Sequence, residues 1–143
     1  MADVEDLAAC LPSGQGDDEV ELRVLVLQTF AGVAAAPAWR DHAAFSPLSA
    51  TAASCLADDA AATRAAALAA LAAFGERASA AHLDAAAALL EDEDASVRLV
   101  AIGALARLGS AESHGEVLSE LLGDRDRGVR GAATAALKQW GLA

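Results

Sequence analysis

The chain has 143 residues, the size of one domain with a sizeable core, and is 55% hydrophobic but only 3% aromatic. Alanine and leucine must therefore supply most of the packing, and the helix propensity of alanine points to an all-α protein. A formal net charge of −11, with Lys138 the single lysine, argues against a nucleic-acid surface, which must neutralise phosphates, and against an anionic membrane.

Taken in chain order, the N-terminus Met1-Ala-Asp-Val-Glu-Asp is acidic and lacks the basic start of a signal peptide or the arginines of a transit peptide. Asp3 to Leu11 reads as a first helix, followed by the flexible turn Pro12-Ser13-Gly14-Gln15-Gly16 and a second helix from Asp18 to Ala35. The apolar stretch Val24 to Trp39 is short for a membrane span, carries Gln28 and Thr29, and is broken by Pro37, so a soluble, cytoplasmic protein is expected. After a connector from Ala36 to Phe45, Ser46 is placed to cap a helix to Leu56, with Pro47 in its first turn. Ala57-Asp58-Asp59 turns the chain into a helix from Ala60 to Phe74, which Gly75 stops. Ser79 to Leu90, the acidic turn Glu91 to Asp94, and a helix capped by Asp94 and ended at Gly109 form the next pair. Ala111 to Leu122, a turn at Gly123 to Asp126, and Arg127 to Trp140 with Gly141 form the last. Cys10 and Cys55 lie within apolar helical pattern and read as small buried thiols in a reducing compartment.

The pairs repeat one another. An aspartate stands six residues before an arginine four times, at Asp17 and Arg23, Asp58 and Arg64, Asp92 and Arg98, Asp124 and Arg130. The last three arginines are 34 (64 to 98) and 32 (98 to 130) residues apart, and the connector lengthens the first interval to 41 (23 to 64). This is a solenoid period, in which each helical hairpin buries its apolar face against its neighbours. Four units are expected over residues 1–35, 43–75, 79–109 and 111–141, giving eight helices in one domain. Within the second, or B, helix of each unit, the positions one before and three, four, seven and ten after the arginine share a face. In the third unit that core stripe is Val97, Ala101, Ile102, Leu105 and Leu108; in the fourth it is Val129, Ala133, Thr134, Leu137 and Trp140. Thr63 and Leu22 stand in the valine place of the second and first units. Because they recur in every unit, the aspartate and arginine are read as a structural ladder, in which each arginine reaches turn acids of its own or the adjacent unit.

The run Leu90-Glu-Asp-Glu-Asp-Ala-Ser-Val-Arg-Leu-Val-Ala-Ile-Gly-Ala-Leu-Ala-Arg-Leu-Gly109 resembles the HEAT-repeat family, in particular its short form found in phycobilin-lyase-type proteins, and 122–141 matches nearly as well. The resemblance implies a right-handed α-solenoid whose B helices line a concave surface that receives a protein partner. No catalytic residue, cofactor or metal site is expected. His42, His82 and His114 lack the His-Glu pairs of the di-iron hydroxylases that share the fold, and are expected on the surface. No histidine stands beside either cysteine in sequence, and there is no Gly-Lys-Ser/Thr phosphate loop. No small-molecule substrate is evident. The outward B-helix positions are small-sided or apolar, and Val24, Leu25, Gln28, Leu99, Val100, Arg107 and Gln139 are the candidate partner-binding residues. The expected function is a non-catalytic interaction scaffold or assembly subunit. The alternative is a component of a HEAT-type enzyme such as a phycobilin-lyase-like protein.

Overall fold

A computed structural model describes residues 11, 12, 14, 16–37, 45–75, 82–108 and 111–142. The described residues form seven α-helices and no strand: α1 (Asp17–Ala35), α2 (Phe45–Ser54), α3 (Ala61–Phe74), α4 (Leu83–Ala88), α5 (Ala95–Leu108), α6 (Ala111–Glu120) and α7 (Arg127–Gln139). The eighth helix expected at Asp3 to Leu11, the Cys10 thiol, His42 and Gly109 lie outside the described residues.

The B helices α1, α3, α5 and α7 stack on one another in that order, and the A helices α2, α4 and α6 pack chiefly on their own B helices. Closer association in the B row than in the A row curves the stack with the B helices on the inside, the form of an α-solenoid. Its core runs through the whole stack: Leu27 and Phe30, Leu68 and Leu71, Val97, Ile102 and Leu105, then Val129 and Leu137 are nearly inaccessible. Alanines such as Ala67, Ala101 and Ala133 are fully buried between them and allow the helices to approach closely.

Each A helix tightens into a 3-10 turn before the ladder aspartate, at Cys55–Ala57, Leu89–Glu91 and Leu121–Gly123. The aspartate N–H closes that turn by donating three residues back, to Cys55, Leu89 and Leu121. At the far end Gly75 (φ 78°) and Gly141 (φ 74°) have positive φ just beyond α3 and α7, a backbone that side-chain-bearing residues rarely adopt. Asp94 accepts from Ser96 and Val97 N–H at the start of α5, and Asp126 from Val129 N–H at the start of α7.

Several residues lie elsewhere than expected. α2 begins at Phe45, one residue before the Ser46 expected to precede it. Leu22, in the place where Thr63, Val97 and Val129 are wholly buried, is 45% exposed, because Val26, Leu27 and Phe30 carry the packing of α1. His114 is buried rather than on the surface: it stands one turn before Leu118 and shares its inward face. Leu108 and Trp140, at the ends of their core stripes, are half-buried.

Candidate functional site

The ladder runs between units. Arg64 donates from Nε to Asp92 Oδ2 at 2.8 Å and from Nη2 to Asp92 Oδ1 at 3.0 Å, a bidentate pair. Its Nη1 donates to the carbonyls of Asp58 and Asp59 in its own turn, at 2.9 and 3.0 Å. Arg98 donates to Asp124 from Nη2 alone, to Oδ1 at 3.0 Å, with Nε 2.9 Å from Oδ2 as an ion pair without a hydrogen bond, and its Nη1 donates to the carbonyls of Asp92 and Glu93. Each ladder aspartate is also held by the backbone N–H two residues on: Asp58 by Ala60, Asp92 by Asp94, Asp124 by Asp126. The Asp126 N–H, and with it the Arg98 guanidinium, holds the Asp124 carboxyl below the usual aspartate range. The hydrogen bonds to Asp92 likewise push the Arg64 guanidinium up.

The first rung differs. Arg23 Nε is 3.2 Å from Asp58 Oδ2, and its Nη1 donates to the carbonyls of Pro12 and Gly14. Asp17 is therefore not a rung. Helix α1 starts at Asp17, so the turn facing Arg23 lies further back along the chain than in the later units. Arg23, Arg64 and Arg98 are buried, and Asp58, Asp92 and Asp124 are each held by an arginine and a backbone N–H, whereas Arg130 is half-buried and Asp17 exposed. Among the described residues, no group of three or more His, Cys, Asp and Glu is placed to hold a metal ion. Burial pushes the Cys55 thiol up, away from the reactive thiolate.

The other candidate surface is the inner face of the B helices. None of its outward residues is buried: Val24, Leu25, Gln28 and Gly32 on α1, Ala65, Ala66, Ala69 and Ala73 on α3, Leu99, Val100, Gly103 and Arg107 on α5, Gly131, Ala132, Ala135 and Gln139 on α7. A Cβ built on Gly32, Gly103 or Gly131 would meet nothing within 4 Å, so the face is open above them. Val24, Leu25 and Gln28 come together in a groove of about 570 Å³ at the α1 end, walled by Asp18, Glu21, Leu22 and Ala62. Leu22 and Leu25 are 45% and 58% exposed. Leu22 was missed because the repeat register assigns it to the core, and the acidic rim because the register places Asp18 and Glu21 outside the inner-face positions.

Leu99 and Val100 are not part of that groove. They lie on α5, half-buried against the core, with the alanines of α3 between. Arg107 is exposed near the C-terminal end of α5, whereas Gln139 is used within the fold, its Nε2 donating to Ala106 carbonyl at 2.9 Å. That bond satisfies one of the last carbonyls of α5 and ties it to α7.

No helix among the described residues is long and apolar enough to cross a membrane. No curated protein matches the chain. Among solved structures it is similar to an engineered protein from a structural genomics consortium, with a TM-score of 0.74 and 25% identity over 97% of this chain and 62% of that one. The chain thus spans less than two thirds of that structure's length. The family model described as HEAT repeats matches residues 49–138, which takes in the second to fourth hairpins and three of the four ladder arginines. On that match and the stacked hairpins, the chain belongs to the HEAT-repeat family.

Proposed function

We propose that the chain is a non-catalytic interaction scaffold that takes a protein partner along the inner face of its B helices. The observation that carries this reading is the groove at the α1 end, where Leu22 and Leu25 stay about half exposed beside Val20, Val24 and Ala62, with Asp18 and Glu21 in its wall. Magnitudes set how much of the face a partner has to use. Burying an exposed leucine contributes about 1.5–3 kcal/mol, whereas a micromolar complex needs about 8 kcal/mol net. Leu22 and Leu25 fall short of that, so the partner extends over α3 to Leu99 and Val100. Neighbouring helices are ~10 Å apart, so a partner helix of ~13 residues at 1.5 Å per residue crosses from α1 to α5. Asp18 and Glu21 on the rim favour basic residues at the α1 end of such a helix.

Affinity purification from the native source, quantified by mass spectrometry, tests this with two variants, Leu22→Asp/Leu25→Asp and Leu99→Asp/Val100→Asp. Both are expected to lose the partner retained by the unaltered chain, with helical circular dichroism intact. A partner held equally by both well-folded variants would place the binding surface elsewhere.

A further inference from the structure

Much of the groove beside α1 is built from positions that stay open inside the stack. Leu25, 58% exposed, stands two residues after its ladder arginine. Ala66 on α3 and Val100 on α5 hold the same position, with B helices packed on both sides, and neither is buried. Glu21, two residues before its arginine, corresponds to Ala62 and Ser96, which are exposed within the stack. Asp18, five residues before, corresponds to Asp59 and Glu93, which are exposed as well. These positions are therefore accessible whether or not another unit adjoins α1.

Their chemistry is of two kinds. Val24 and Leu25 lie in the groove that Asp18 and Glu21 wall. Asp59 and Glu93 continue the same sign along the border of the inner face, and the fourth unit reverses it with Arg125. Unlike the ladder aspartates, none of these four carboxylates is ion-paired among the described residues. Unpaired acids beside exposed apolar side chains are complementary to a segment that is apolar on one face and basic along its flank.

We propose that the groove takes a basic amphipathic helix of another protein, an inference that rests on the inner-face scaffold reading above. The apolar face of that helix lies on Val24 and Leu25, and its lysines or arginines lie over Asp18, Glu21, Asp59 and Glu93. The chain itself does not supply such a segment at this place. Met1 to Cys10 carries Asp3, Glu5 and Asp6 and no lysine or arginine, and a second copy brings a net charge of −11 against the same −11. Nor would a further hairpin stacked on α1 fill the groove, since α1 leaves the equivalent positions of α3 open.

The probe is a peptide of about 14 residues, long enough as a helix to cross from α1 to α5. It carries leucine at helical spacing and lysine elsewhere, and its counterpart has glutamate in place of lysine. Fluorescence anisotropy is expected to show binding of the lysine peptide and none of the glutamate peptide. Leu25→Asp, Asp18→Lys/Glu21→Lys and Asp59→Lys/Glu93→Lys are each expected to weaken binding about tenfold, with helical circular dichroism intact. Glu116→Lys/Glu120→Lys, which changes the net charge equally on exposed positions of α6, is expected to leave it unchanged. The proposal is overturned if the lysine peptide does not bind, or if the glutamate peptide binds as well. Undiminished binding by any inner-face variant, or equal loss from the α6 variant, overturns it too. In affinity purification, a partner lost from Leu22→Asp/Leu25→Asp but kept by Asp18→Lys/Glu21→Lys would overturn it while leaving the scaffold reading intact. A chain that sediments as a dimer dispersed by Leu25→Asp would give the groove to a second copy instead.

Discussion

Thr63 occupies a position that valine fills in the third and fourth units, and it is as fully buried as Val97 and Val129. Its hydroxyl finds no hydrogen-bond partner among the described residues. An unsatisfied buried hydroxyl costs about 1–3 kcal/mol, and valine has nearly the same shape. Thr63→Val is therefore expected to raise stability by about 1–2 kcal/mol, seen as a higher urea midpoint with unchanged slope. Thr134 is the control. Its hydroxyl donates to Arg130 carbonyl at 2.9 Å and is half-buried, so Thr134→Val should gain nothing. If Thr63→Val lowered the midpoint, the hydroxyl would be satisfied by a group the geometry does not reveal. The back-bond of Thr134 is what a threonine within a helical stripe is expected to make, whereas the unpartnered Thr63 hydroxyl was not legible in the repeat pattern. What separates them is the position along the stripe: Thr63 is in the first turn of α3, and Thr134 is further along α7, facing a backbone carbonyl of its own helix.

At the level of the helix, the residue four before each ladder arginine sits at or beside the N-terminus of its B helix, and the four units fill it differently. Asp94 and Asp126 accept backbone N–H groups there, and Glu19 reaches back to Gly16 N–H. Ala60 has the extended conformation of an N-cap (φ −86°, ψ 123°) but no side chain that can accept. Ala60→Ser is expected to stabilise the chain by about 0.5–1 kcal/mol, read from thermal or urea unfolding. A neutral or negative effect would mean that the Asp58 turn already satisfies the first N–H groups of α3. The ends of α3, the Asp94 cap and the two stop glycines Gly75 and Gly141 could be read from sequence because caps and periodicity are local. The start of α2 before Ser46 and the inward turn of His114 could not. Both depend on which neighbouring helix covers a face, and a single helix's pattern carries no record of that. The Arg23 rung slipped for a related reason: spacing places Asp17 correctly along the chain, but the longer first turn puts a different segment opposite the arginine.

At the scale of the whole stack, the ladder charges of the described residues are mostly paired between units. Arg23, Arg64 and Arg98 are paired with Asp58, Asp92 and Asp124 along one edge, tying each unit to the next, while the inner-face positions carry the single charge of Arg107 and the α1 groove keeps two exposed leucines beside Asp18 and Glu21. Stability of such a stack is roughly the sum of unit and nearest-neighbour contributions, so the inner face can be altered without breaking the rungs that hold the units in register. That separation is why a partner is expected on the B-helix side and not along the charged edge. Site-specific photo-crosslinking tests this most directly, with a photoreactive residue placed at Gln28 or Gly103 on the inner face and at Glu116, exposed on α6. The partner retained in affinity purification is expected to be captured from positions 28 and 103 and not from 116. Capture from 116, with none from 28 or 103, would contradict an inner-face scaffold.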